Sequence, residues 1–356
     1  MAADPMALVR PRHDPHAVRR ALAAALTAAV VVVAFAGVLP RVADAGAVWD
    51  LVSTLPAGAV AAVALLTLAH VAAYPLLSMA SLPGLRFWPA VVVTQASTAV
   101  SHTVPAGGGV GVGVTYAMYA GYGFPPTPIV LSVTTTGVAN VVVKLTMPAV
   151  AAVLLAVSGD APGWAWRAAQ LGLLLTAGTV FFATGVLTHR RDAAYVVRGV
   201  ARVVATLRRR DPAAAAETAD RALDTAREQA RALCRPRGLA ILGAAIGSHL
   251  VMYALFAACL SAVGAGVGVP LSFAAFAVVR LGLAVPVTPG GVGVAEAGYA
   301  AALVASGAAA EPAVAAVLLF RAATYLLPIP LGFACGVAWR RRGMRNTPRG
   351  YRVRSA

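Results

Sequence analysis

Six stretches of this chain are long and apolar enough to cross a bilayer, and they limit its fold more than any other property of the sequence. Residues 21–39, 56–80, 128–157, 165–187, 239–264 and 313–337 approach or exceed the roughly 20 residues that a helix needs to span the hydrocarbon core. Of 356 residues, 60% are hydrophobic and 12% charged, about half the charge of an ordinary soluble domain. No water-soluble core of this length hides so much apolar surface, so lipid has to be the solvent. Within lipid a helix satisfies its own backbone hydrogen bonds, which predicts an all-α polytopic membrane protein.

The net charge of +16 could suggest nucleic acid, but its distribution argues for a membrane and no nucleic-acid partner. Of 29 basic residues, twenty-four gather in the tail 1–20, at Arg86, in the stretch 188–237 and in the tail 339–356. An excess of arginine in short loops marks the cytoplasmic side. Both termini, Arg86 and the stretch 188–237 are therefore expected inside, with loops 40–55 and 158–164 outside. The Ala-, Val-, Gly- and Arg-rich composition, with Lys144 as sole lysine, suits a bacterial cytoplasmic membrane. Ala43-Asp44-Ala45 resembles a signal-peptidase site, yet stretch 21–39 exceeds the usual ~7–15-residue signal core and is expected to stay as a span. Cys234, Cys259 and Cys335 lie far apart, without metal-type spacing.

Two further segments, 88–124 and 271–311, are too apolar for water. If 88–124 crossed once, the twelve arginines of 188–237 would face outward, against the charge rule. Each segment must therefore enter and return on one side. At 37 residues the first is short for two full spans, so a re-entrant hairpin of two half-helices is expected, and likewise for the second. The membrane halves are then 21–187 and 238–338, joined by a basic cytoplasmic connector, 188–237. Within that connector, 195–207 reads as a basic amphipathic helix for anionic headgroups. Asp211 and Pro212 should cap and start a second helix, in which Glu217 pairs with Arg221 at i,i+4.

Gly108-Gly109-Val110-Gly111-Val112 recurs as Gly290-Gly291-Val292-Gly293-Val294, each shortly after a proline, Pro105 and Pro289. Each copy sits in a hairpin between two spans, with opposite faces of entry. That pattern predicts inverted-topology repeats, roughly 56–157 and 239–337, meeting around a midplane site. The glycines permit sharp turns and bring bare amides close to a ligand. A half-helix starting there offers unpaired N–H groups and a positive dipole end, suited to an anion.

With Arg167 and Glu311 at the outer edges of their segments, only Lys144, Arg280, Glu296 and Arg321 carry formal charge at membrane depth, and three of them are positive. Charges at such depth face a partner or a cavity. Glu296 falls in a helix's first turn and can pair with Arg280 or Arg321. The remaining positive charge suits a phosphate head group, for which arginine supplies forked donors. Asn140, Gln95 and His102 are weaker candidates for lining the path, and His70 and His249 weaker still. Thr134-Thr135-Thr136 can bond its own helix.

Pro286-Val287-Thr288-Pro289-Gly290-Gly291-Val292-Gly293-Val294-Ala295-Glu296, followed by Leu319-Phe320-Arg321 and Leu327-Pro328-Ile329-Pro330 with Gly332, resembles the lysylphosphatidylglycerol synthase transmembrane region, also called the flippase-like family. Pro105-Ala106-Gly107-Gly108-Gly109 is similar to its first-half glycine motif. The resemblance covers roughly 20–340 and implies translocation of phospholipids or polyprenyl-linked lipids. It carries over Pro289, Gly290, Gly291, Gly293, Glu296 and Arg321 as matched positions. With only the short tail 339–356 after its last span, aminoacyl transfer by this chain alone is not expected.

The expected function is thus lipid translocation, with Arg280, Arg321, Glu296, Lys144, the prolyl-glycine turn 289–293 and Gly108, Gly109 and Gly111 as candidate substrate-binding residues. Coupled transport of a small anion, with Glu296 as proton carrier, is an alternative. So is a non-catalytic partnership with a lipid-modifying enzyme or glycosyltransferase. Catalysis, metal and cofactor are not expected, because metal-dependent transfer needs clustered carboxylates and Glu296 stands alone within the spans.

Overall fold

The computed structural model describes residues 44–104, 107–159, 211–283 and 288–343, with scattered positions between 163 and 202. Every element in them is helical. In chain order they are α1 (Ala45–Ser53), α2 (Ala57–Ser81), α3 (Phe87–Thr103), α4 (Gly107–Gly121), α5 (Pro126–Ser158), α6 (Pro212–Ala262), α7 (Val269–Gly282), α8 (Val294–Ala305), α9 (Ala310–Arg321) and α10 (Pro328–Gly343). A π turn, Ala322–Leu326, joins α9 to α10, and together they make one rod.

Four stretches are long and apolar enough to cross a membrane: Ala57–Ser81, Pro126–Ser158, Pro236–Ala262 and Ala310–Arg341. They correspond to four of the six expected spans. Span 21–39 lies outside the described residues, and span 165–187 is described only at scattered positions. Their outer faces carry Leu65, Leu68 and Val153, each more than 60% exposed. Large apolar side chains left bare in rows like these belong against lipid. The protein is an all-α polytopic membrane protein.

Helix α6 runs unbroken for 51 residues through Pro236, and its apolar span begins at that proline. Asp211 caps it, accepting from the Ala213 N–H at 2.9 Å, with Pro212 in the first turn, as expected. Glu217 and Arg221 pair at 2.6 Å on its exposed surface. In the expected helix 195–207, only Arg198 and Arg202 fall within the described residues, both helical.

The two apolar segments fold as short helix pairs. Helices α3 and α4 have 17 and 15 residues, and α7 and α8 have 14 and 12. At 1.5 Å per residue each reaches about 18–26 Å, short of the ~30 Å hydrocarbon core. Side chains along the rod Ala310–Arg341 show which way each pair points. Gly121, at the open end of the first pair, lies against Trp339. Gln95 and Ala99 lie against Gly332, and His102, at the tip, against Tyr325. The second pair's open end joins the start of α9, and its tip reaches Arg321. The hairpins thus approach from opposite ends of one rod, and their tips meet at its middle.

Packing between the halves is reciprocal. Helix α3 of the first hairpin lies on α10, and α7 of the second lies on α5. Between them α2 and α6 pack side by side, with Arg237 donating to the Ala80 carbonyl at 3.5 Å. An aromatic cluster of Tyr253, Phe256, Phe276, Tyr299 and Phe320 fills the second half.

Several polar groups in the spans are met within their own helix or by a neighbour, which lipid favours. Thr67, Thr136 and Thr146 each donate to a carbonyl of their own helix. Pro75 lacks an N–H for the Val71 carbonyl one turn back, and Gln95 Nε2 from α3 reaches that carbonyl at 3.5 Å.

A side chain at Gly332 would strike the Gln95 carbonyl and Ala99, whereas Gly336 on the same helix has open space beside it. Gly332→Val is expected to cost about 1–3 kcal/mol by forced overpacking, and Gly336→Val little. Thermal unfolding of the two purified variants in detergent checks this.

Candidate functional site

The second glycine turn builds the site from its backbone outward. Gly290, Gly291 and Gly293 have φ of 60°, 70° and 82°, in the left-handed region where a Cβ is strained. Gly290 also has no room for a side chain, which would collide with Tyr325 and His102. Thr288 Oγ1 donates to the Val292 carbonyl at 2.9 Å and closes the loop. Helix α8 then starts at Val294, with Glu296 in its first turn.

Glu296 binds in two directions. Its Oε2 accepts from the Gly293 N–H at 2.6 Å, reaching back to the helix cap as in a capping box. Its Oε1 accepts from Arg321 Nε, also at 2.6 Å. Arg321 Nη2 donates to the Gly290 carbonyl at 3.0 Å. The guanidinium therefore clasps the turn through both a carboxylate and a backbone oxygen. Glu296 is 2% exposed and Arg321 9%, so this ion pair is buried.

The clasp continues into the first hairpin. The Arg321 guanidinium carbon lies 4.6 Å from the Tyr325 ring centroid, in cation–π range. Tyr325 stacks on His102 with centroids 4.7 Å apart, and its hydroxyl donates to the His102 carbonyl at 3.0 Å. Tyr325 belongs to the π turn, a distortion often found at functional sites.

Arg280, the other expected partner for Glu296, turns elsewhere. Its Nη2 lies 3.2 Å from His249 Nε2, on α6. Lys144, half-buried on α5, is within electrostatic reach of Arg280 rather than part of the clasp. Glu296 is the buried carboxylate among the described residues, and it is committed to Arg321 and Gly293.

The first-half glycines differ from their counterparts. Gly108 and Gly109 lie in the first turn of α4 with open space beside them, not in a left-handed turn. Pro105 and Ala106, which precede them in the chain, are outside the described residues. Gly111 serves packing, since a side chain there would meet Ser101 and the Ser97 carbonyl. The matching pentapeptides thus occupy different conformations.

Asn140 Nδ2 donates to the Tyr74 hydroxyl at 3.3 Å and to the Thr136 carbonyl, joining α5 to α2. His102 faces the second half through Tyr325, whereas the Gln95 side chain reaches Val71 in the first half and its backbone carbonyl lies against Gly332. Sequence reasoning missed Tyr299 and Tyr325. Both share a helix face with a named charge, at i+3 from Glu296 and i+4 from Arg321, and that spacing was the available signal.

Short opposed hairpins, tips meeting at mid-rod and an ion pair buried between them define a class: a helical membrane protein whose interior site lies between inverted elements. The family model described as the lysylphosphatidylglycerol synthase transmembrane region matches residues 21–332. The chain belongs to this family. No curated protein matches it.

Breaking the clasp on one side strands a charge. Glu296→Ala should destabilise the protein by about 3–5 kcal/mol, while Glu296→Gln with Arg321→Met together should cost far less. A double-mutant cycle of thermal stability in detergent measures the difference.

Proposed function

We propose that the protein translocates an anionic lipid, a phospholipid or a polyprenyl-phosphate-linked one, across the bacterial cytoplasmic membrane, with both termini cytoplasmic. The head group passes between the hairpin tips while its tails stay in the bilayer. The observation that carries this reading is the surplus of cationic side chains, Arg280, Lys144 and Arg321 against Glu296, beside two half-span hairpins that approach from opposite ends. Membership of the family, which concerns lipid handling, supports it. Hairpins opposed in this way can open a central site to alternate leaflets.

Both carboxylate oxygens of Glu296 are already engaged, one by Arg321 and one by the Gly293 amide. This weighs against the coupled small-anion alternative. No chemical step is assigned to the protein in this reading, and a lipid-modifying enzyme remains a natural source or consumer of the lipid.

Liposomes containing the purified protein and an inner-leaflet fluorescent phosphatidylglycerol give the test. Wild type should expose the label to an outside quencher faster than protein-free vesicles. Arg321→Ala, if monodisperse, should slow this at least about tenfold, the loss of one charge-assisted contact. Wild-type vesicles no faster than empty ones would overturn the reading.

A further inference from the structure

The cationic side chains do not share one site. Arg321 is neutralised by Glu296, whereas among the described residues Arg280 has an imidazole as its hydrogen-bond partner and no carboxylate in salt-bridge range, and its Nε is buried without a hydrogen-bond partner. His249 Nδ1 lies 3.0 Å from the Ala245 carbonyl, which can only accept. That nitrogen therefore carries the ring proton, and Nε2 offers a lone pair to the guanidinium. The imidazole aims Arg280 without cancelling its charge. Lys144 and His70 lie within electrostatic reach of the same guanidinium. His70 Nδ1 is likewise buried and unpartnered.

Depth makes this grouping notable. His70 is the 14th residue of the 25 in Ala57–Ser81, and His249 the 14th of the 27 in Pro236–Ala262. Lys144 is the 19th of 33 in Pro126–Ser158, at least 14 residues from either end. That helix is about 50 Å long, so a residue near its middle lies deep in a hydrocarbon core of about 30 Å. Three of the four groups thus sit at the middle of their spans, and Arg280 faces them from α7. A structural cation at such depth is ordinarily matched by a carboxylate, and none accompanies these among the described residues.

We propose that Arg280, Lys144, His249 and His70 form a seat for a phosphate or phosphodiester group at the membrane midplane, distinct from the Glu296–Arg321 clasp. Arg280 contributes a rigid fork and Lys144 a compact charge. Each half supplies two members, His70 and Lys144 from the first, Arg280 and His249 from the second. The source of the phosphate rests on the lipid reading above, because a soluble phosphate would engage the same donors.

Calorimetric titration of the full-length protein in maltoside micelles separates the cases. The probes are dihexanoyl phosphatidylglycerol and inorganic phosphate, and the variants are Arg280→Gln and Lys144→Met. The seat predicts that each variant weakens phosphatidylglycerol binding at least about tenfold, the loss of one charged contact. Lys144→Met should also raise the Tm of the unliganded protein by relieving an unmatched charge. A purely structural lysine would instead lower it. Should Arg280→Gln fail to fold, Lys144→Met carries the test alone. Saturable phosphate binding that both variants abolish, with no phosphatidylglycerol binding, upholds the seat and overturns the lipid reading. Phosphatidylglycerol binding equal in wild type and variants overturns the seat and leaves translocation standing. No binding of either probe to wild type also overturns the seat.

Discussion

One buried ion pair organises the centre of this protein. Glu296, on the helix that leaves the glycine turn, and Arg321, at the end of the next helix, together hold the Gly290 carbonyl and the Gly293 amide of that turn. Without the pair, three left-handed glycine positions within four residues would have little to fix them. With it, Gly290 is pressed so near Tyr325 and His102 that the second hairpin's tip docks against the first. Burial of such a pair is weak evidence for stability, since apolar residues of similar volume often do as well. Its value lies in specifying geometry: the forked guanidinium can satisfy carboxylate and carbonyl only in one arrangement of the turn.

Around this clasp lies an interior less dry than the composition suggests. Five buried side-chain atoms among the described residues find no partner: His70 Nδ1, Gln95 Oε1, His102 Nδ1, Arg280 Nε and Tyr299 Oη. They come from α2, α3, α7 and α8, the long first-half span and both hairpins. Native interiors leave few polar groups in that state, and those few usually mark water, ligand or function. Their concentration near the hairpins fits a polar lumen inside an apolar shell.

Much of this was legible beforehand. Apolar runs announced the four long helices because lipid tolerates little else, and charge counting announced the hairpins because a single crossing would have put arginines on the wrong side. The choice between Arg280 and Arg321 as partner to Glu296 was open in the sequence, since both lie within reach of a first-turn carboxylate. Only the path of the π turn settles which guanidinium arrives. His70 and His249 looked unremarkable because nothing in their local sequence says that they face Arg280. The repeated pentapeptide exaggerated its own symmetry: identical letters give a left-handed turn in one half and a helix start in the other. The continuity of α6 through Pro236 was hidden because proline ordinarily reads as a stop.

The exchange of packing between halves has an architectural consequence. Each hairpin's first helix lies on the closing helix of the opposite half, so neither half covers its own inner face. A half released as a separate chain would keep its lipid-facing surface but expose the groove meant for the other's hairpin. Its natural complement would be a second molecule inserted upside down. The fused chain is thus equivalent to a dual-topology dimer made permanent.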